Sequence, residues 1–254
     1  MKLFFREYGS GQPIVILHGL FGSSDNWLTQ AKLLSPQYKI YTVDLRNHGQ
    51  SPHDNAFDYE SMVHDLEEFF DDQKLTNATL LGHSMGGKAA MNFALAHPDK
   101  IERLIIVDIA PRGYNLEHYT IADGLVAIPV DSITSRTEAD EKLAAYVPES
   151  DTRQFLLKNL QRKSDGGFNW KINLSVIREK LSNVGVDLYL EGTFEKPTLF
   201  IRGARSNYIR DSDWDRITAL FPAAKLETLE TGHWVQAEKP QEFVDVVTGW
   251  LGAN

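Results

Sequence analysis

The stretch LLGHSMGGKAA, Leu80–Ala90, breaks an apolar run with glycines around one serine and resumes as an alanine-rich segment. Ala78–His83 before the break has the composition of a buried strand, and the segment after it that of a helix stopped at Pro98. Gly82-His83-Ser84-Met85-Gly86 between them fits G-x-S-x-G, a sharp strand-to-helix turn that lifts a serine hydroxyl above a sheet. Residues two positions either side of such a serine must be small, or they collide across the turn. The helix that follows aims its N-terminus at the hydroxyl, which favours negative charge developing there. A glycine-rich turn with an incidental serine is the alternative; strand before and helix after favour a nucleophile.

Outward from this turn the same alternation repeats. Pro13–Gly19, Lys39–Leu45, Arg103–Ala110, Pro197–Gly203 and Ala224–Glu230 read as further strands, and Leu3–Tyr8 as an edge strand. The central runs are rich in Ile, Val and Leu without strict alternation, the pattern of strands buried on both faces of a parallel sheet. Between them, Ser61–Leu75 puts Met62, Leu66, Phe69 and Phe70 on one helical stripe with Ser61 as its cap. Pro240–Gly252 forms a last helix with Phe243, Val246, Val247 and Trp250 inward. Strand then helix, repeated, predicts an α/β fold with a mostly parallel central sheet flanked by helices. From Pro111 to Lys196 no buried strand stands out and helical patterns such as TRQFLLKNLQRK and NLSVIREKL dominate. This predicts a discontinuous core, residues 1–110 and 197–254, carrying residues 111–196 as an inserted helical cap.

The bulk composition agrees with one large globular unit. The chain has 254 residues, 42% of them hydrophobic, and no cysteine. The missing cysteine excludes a disulfide framework and a thiol nucleophile and fits a reducing, cytoplasmic setting. A formal net charge of −9 speaks against a nucleic-acid partner. No stretch suits a signal peptide or stable membrane insertion, and no sequence motif calls for a metal or organic cofactor.

A serine needs a base, an orienting acid and donors for the oxyanion. HGLFGSSDNW follows the strand at Pro13–Gly19 and can turn a backbone N–H outward. The N–H groups of Leu20 and Met85 are the candidate oxyanion hole, each such donor contributing roughly 10²- to 10³-fold in rate. His18 is more suited to bracing that loop. Of the eight histidines, His233 in TLETGHWVQAEKP lies after the last strand and before the last helix, the loop that overhangs the serine in the hydrolases this layout resembles. His83 is expected to point away from the serine, and His118 to lie in the cap. The acid is unusual. Where serine hydrolases that this layout resembles often carry the acid, after the strand at Pro197–Gly203, the chain reads Gly203-Ala204-Arg205-Ser206. Asp108 ends the preceding apolar strand in LIIVDIAPRG, and a charge there needs a partner. Asp108 is therefore the preferred acid, with Ser206 placed to donate a hydrogen bond beside it; Asp211 and Asp213 are the fallback.

Taken together, HGLFGSSDNW, DLRNHGQS, GHSMGG, VDIAP, GARSNYI and GHWVQAEKP resemble the α/β-hydrolase superfamily over nearly the whole chain, and within it the bacterial YbfF-type serine esterases. The RNHG turn and the serine in place of the late acid are the more specific marks. The resemblance implies an α/β-hydrolase fold with a helical cap, a role for Asp108, Ser206 and His233 beside Ser84, and small-molecule acyl esters, with acyl-CoA thioesters also considered, as substrates. Epoxide hydrolases and dehalogenases would need an aspartate at position 84. A carbon–carbon bond hydrolase of the same fold, or a non-catalytic ligand-binding relative, stays open. In the cap, Phe155, Leu156, Phe168, Trp170, Leu188 and Tyr189 could line an acyl pocket, although cap packing explains most of them equally well. Arg153–Lys180 holds seven basic and two acidic residues, which could draw an anionic leaving group or simply form a solvated helix face.

Overall fold

A computed structural model describes residues 1–114, 118–164 and 166–253. Seven strands form one sheet: β1 (Phe5–Tyr8), β2 (Gln12–Leu17), β3 (Tyr38–Val43), β4 (Ala78–His83), β5 (Ile101–Val107), β8 (Thr198–Gly203) and β9 (Ala224–Leu229). Their spatial order is β1-β3-β2-β4-β5-β8-β9, and every neighbouring pair is parallel except β1 with β3, which places the antiparallel strand at an edge. The helices of the core are α1 (Leu28–Leu34), α2 (Tyr59–Asp72), α3 (Met85–Ala96), α8 (Trp214–Leu220), α9 (Val235–Glu238) and α10 (Pro240–Gly252). Between β5 and β8 lie α4 (His118–Val126), α5 (Arg136–Leu143), α6 (Ser150–Leu157), a hairpin of β6 (Leu160–Arg162) and β7 (Phe168–Trp170), and α7 (Leu174–Glu179).

Alternate residues of the central strands point to opposite faces, and both faces are dry. Val15, Leu17, Leu80, Leu104, Ile106 and Phe200 join one apolar cluster with α2 and α3. Ile14, Ile16, Leu81, Ile105, Val107 and Leu199 join another with α1 and α10. All six residues of β4 are buried, which explains why its sequence shows no alternation. The buried residues of α4 and α7, such as Leu125 and Ile177, belong to the first cluster, so the segment between β5 and β8 shares its core with one face of the sheet.

Two local expectations are corrected. The cap of α2 is Asp58, whose side chain accepts from the Ser61 N–H at 2.8 Å, so the helix begins two residues before Ser61. TRQFLLKNLQRK is not one helix: α6 ends at Leu157, where Asn159 Nδ2 donates to the Leu156 and Phe21 carbonyls, and the chain reverses at Gly166 and Gly167 with φ of 99° and 68°. NLSVIREKL likewise yields only the short α7 before a 3₁₀ turn at Leu181–Val184.

Candidate active site

The carboxyl ends of β2, β4, β5, β8 and β9 lie along one edge of the sheet, where ligands gather in open α/β sheets. Each contributes a turn. At the end of β4, Ser84 holds φ 53° and ψ −119°, a conformation costing about 1–3 kcal/mol that persists only because its surroundings fix it. A Cβ on Gly82 would stand 2.3 Å from the Gly86 carbonyl oxygen, and one on Gly86 would stand 2.5 Å from that of His18. These contacts are backbone to backbone, so no side chain can move aside. Ser84 N–H donates to the Val107 carbonyl at 3.1 Å, tying the turn to β5.

After β2 the chain turns under a pair of buried histidines. His18 Nε2 accepts from the Leu45 N–H at 3.0 Å, and His48 Nε2 from the Phe21 N–H at 3.2 Å. Their Nδ1 atoms face the Gly19 and Arg46 carbonyls, at 2.8 and 2.9 Å. Burial pushes His18 down to about 4 and His48 to about 3, so both stay neutral and accept hydrogen bonds at physiological pH. The braced loop brings Gly19 against Ser84, 3.2 Å from where a Gly19 Cβ would stand to the serine Cβ. The Leu20 and Met85 N–H groups find no acceptor among the described residues.

Asp108, at the end of β5, is completely buried and also left-handed, with φ 48°. Its carboxylate is fully engaged. Oδ1 accepts from the Gly203 N–H at 3.0 Å, and Oδ2 accepts from the Ser206 hydroxyl and from His233 Nδ1–H, the latter at 2.8 Å. Three donors compensate its charge, and among the described residues no lysine or arginine is paired with it. Asp211 and Asp213 stand elsewhere, bound to Arg202 and Arg112 respectively. His233 is held on three further sides. Tyr208 stacks on its ring at 4.1 Å between centroids, the His83 ring lies 4.7 Å away, and His83 Nε2 donates to its backbone carbonyl at 2.9 Å. His83 thus reaches the loop of His233 from the end of β4. Burial, and then the neighbouring His233, hold it well below the usual histidine range.

Ser84, His233, His83 and Leu20 line one cavity with Trp27, Phe155, Leu156 and Trp234. Ser84 Oγ has no hydrogen-bond partner among the described residues, His233 included. Two residues that sequence reasoning did not assign to the site also face it. His118, on α4, lines this cavity and three neighbouring ones, and Lys88 lines one of those with Ser84, Tyr59 and Tyr114. Lys88 is almost fully buried, donates to the Val186 carbonyl, and lies over both tyrosine rings. Burial pushes its ammonium down to about 8. Of the six candidate pocket residues between β5 and β8, Phe155 and Leu156 line the cavity. Phe168 is in the core, Trp170 and Leu188 pack against it, and Tyr189 is exposed. Four of the seven basic residues of Arg153–Lys180 are paired with acids from outside that segment: Arg153 with Asp140, Lys163 with Asp131, Lys171 with Asp25 and Arg178 with Asp123. Asp165, one of its two acids, lies outside the described residues.

A family model described as alpha/beta hydrolase fold matches residues 12–130. The chain is 40% identical to the mouse sn-1-specific diacylglycerol lipase ABHD11, over 94% of this chain and 80% of that protein. It is 35% identical to esterase YbfF of Escherichia coli K12, over 95% of this chain and 94% of that one. The chain belongs to the α/β-hydrolase family. Within that family it is similar to a marine microorganism esterase of known structure, with a TM-score of 0.95, 41% identity, and 98% and 99% of the two chains covered. This α/β hydrolase has, among its described residues, no helix long and apolar enough to cross a membrane.

Proposed function

We propose that this α/β hydrolase is a carboxylesterase that works through an acyl intermediate on Ser84. Ester hydrolysis is the chemistry named for its esterase and lipase relatives. The observation that carries the finer reading is the Asp108–His233 hydrogen bond of 2.8 Å on a ring that shares its cavity with a strained serine.

The bond fixes the tautomer. With its Nδ1–H directed to Asp108, His233 keeps a lone pair on Nε2 to take the Ser84 proton. Serine attack on the ester carbonyl moves charge to its oxygen, which the unpaired N–H groups of Leu20 and Met85 receive. The imidazolium then protonates the leaving alcohol or thiol, and a water molecule, deprotonated by the same Nε2, releases the acid. Ser206 keeps the carboxylate oriented by sharing Oδ2 with the histidine. The apolar lining of Trp27, Phe155, Leu156 and Trp234 suits short- to medium-chain acyl groups, and acyl thioesters fit the same chemistry. Residues 111–196 act as the cap that shapes this pocket, and the lack of cysteine supports work in the cytoplasm. Turnover of p-nitrophenyl acetate and butyrate, with alkyl and thioester panels beside them, tests the reading. Ser84→Ala is expected to abolish it, and a variant that keeps its rate would end the assignment.

A further inference from the structure

Tyr208 has no duty in the steps just given, yet it makes the tightest ring contact among the described residues. Its ring lies on the His233 imidazole with 4.1 Å between centroids and 25° between planes. The next closest ring pairs stand at 4.7 and 4.8 Å. Neutral aromatic pairs settle at about 4.5–7 Å, whereas a cation is drawn onto the negative face of an aromatic ring. The contact is also fixed from both sides of the residue. Tyr208 N–H donates to Ser206 Oγ at 3.2 Å, and the Ser206 hydroxyl donates to Asp108 Oδ2, so the ring hangs from the pair that orients His233 Nδ1. The Tyr208 carbonyl accepts from the Tyr114 hydroxyl at 2.5 Å. Tyr208 is only half-buried and lines the cavities beside His233, so apolar burial does not account for its place.

His233 changes charge during the reaction: it is neutral before each attack and an imidazolium after it. The groups around it are mixed in charge. Asp108 Oδ2 meets its Nδ1 from the end of β5 at 2.8 Å. His83, from the end of β4, and His118, from α4, are held below the usual histidine range by burial and then by His233, so neither adds a charge at neutral pH. On its own loop, Glu238 accepts from the Gly232 N–H at 2.9 Å and is paired with Arg205. Asp108 acts in the plane of the ring through one nitrogen. The Tyr208 face acts across the whole ring, over which the imidazolium charge is spread. We infer that Tyr208 is a positioning residue whose ring face stabilises the imidazolium of His233 over the imidazole, making it a stronger base toward Ser84 and toward water. This rests on the acyl-enzyme reading. The contact gains little while His233 is neutral and most once charge has formed, so it lowers the barrier rather than tightening substrate binding.

The test is the pH dependence of kcat/KM on p-nitrophenyl butyrate, whose acid limb reports protonation of His233 in the free enzyme. A face that favours the imidazolium raises the pH at which His233 takes its proton, so removing the face moves the limb down. Tyr208→Leu is expected to move it down by about 0.5–1 pH unit and to lower plateau kcat and kcat/KM about 3- to 10-fold, with KM little changed. Tyr208→Phe keeps the face and should hold the limb where the parent has it. Phenylalanines carrying one, two and three ring fluorines at position 208 keep the shape but drain the face, and should step the limb down in order. A residue that merely covers His233 gives the opposite sign, because uncovering the imidazole lets water solvate its charged form and moves the limb up. An upward or absent shift in the Leu variant, or a fluorinated series whose limb stays with the Phe variant, would overturn the proposal. If the Leu variant does not fold, the fluorinated series decides alone. Failure of the underlying reading looks different: no butyryl adduct on Ser84 could be trapped by acid quench in the parent enzyme.

Discussion

Replacing Asp108 by asparagine separates rate from stability more sharply than any other single change in this site. The structure gives the carboxylate three donors: Gly203 N–H, the Ser206 hydroxyl and His233 Nδ1–H. Asparagine keeps the carbonyl oxygen for Gly203 but presents an amide NH₂ where Oδ2 stood. That group can donate to the Ser206 oxygen and to a His233 Nδ1 lone pair, so the hydrogen bonds re-form with the histidine in the opposite tautomer. The protein therefore loses only about 1–2 kcal/mol, the difference between charge-assisted and neutral bonds. Catalysis suffers far more, because Nε2 now carries the proton and cannot accept one from Ser84. The expected fall in kcat is on the order of 10⁴, equivalent to about 5.5 kcal/mol of barrier. Initial rates on p-nitrophenyl butyrate and thermal melts of the same samples measure the two effects. A folded variant with kcat within tenfold of the parent would refute the tautomer argument and remove Asp108 from the proton path.

Gly86→Ala places a methyl 2.5 Å from the His18 carbonyl and 2.7 Å from that of Leu17, so it should destabilise the protein by about 3 kcal/mol or more in urea melts. Lys88 supplies a pH test. Its folded-state value near 8 lies below its unfolded value, so the folded protein holds this proton less tightly. The resulting penalty, about 3 kcal/mol, is complete below pH 8 and is relieved as pH rises toward 10.5. Lys88→Met forfeits the bond to the Val186 carbonyl but removes the buried cation. It should gain up to about 2 kcal/mol at pH 7, shrinking toward nothing at pH 10; an equal effect at both pH values would show that Lys88 is not a source of strain.

The sheet was legible because its central strands are buried on both faces, and continuous runs such as Ala78–His83 have no soluble alternative. Asp108 and His233 could be named because each sits at the end of a strand pattern where a charged or titratable group needs a reason. Ser206 could be named because it stands in place of an acid. What escaped was tertiary. His83 and Tyr208 hold His233 from positions 150 and 25 residues away, and nothing local marks a ring that will stack on another ring. The hairpin of β6 and β7 has strands of three residues, too short to show a period of two. Asp58 displaced Ser61 as a cap because both residue types suit that position and only packing of α2 chooses between them.

The proposed relay atoms come from two stretches that flank the segment between β5 and β8: Ser84 and Asp108 before it, Ser206 and His233 after it. The segment itself supplies pocket walls, Ile121, Phe155 and Leu156 among them. On the proposed assignment, the reacting groups and much of the pocket wall are thus written in different parts of the gene. A lineage could exchange the middle part, keep the proposed proton path, and drift from one ester to another.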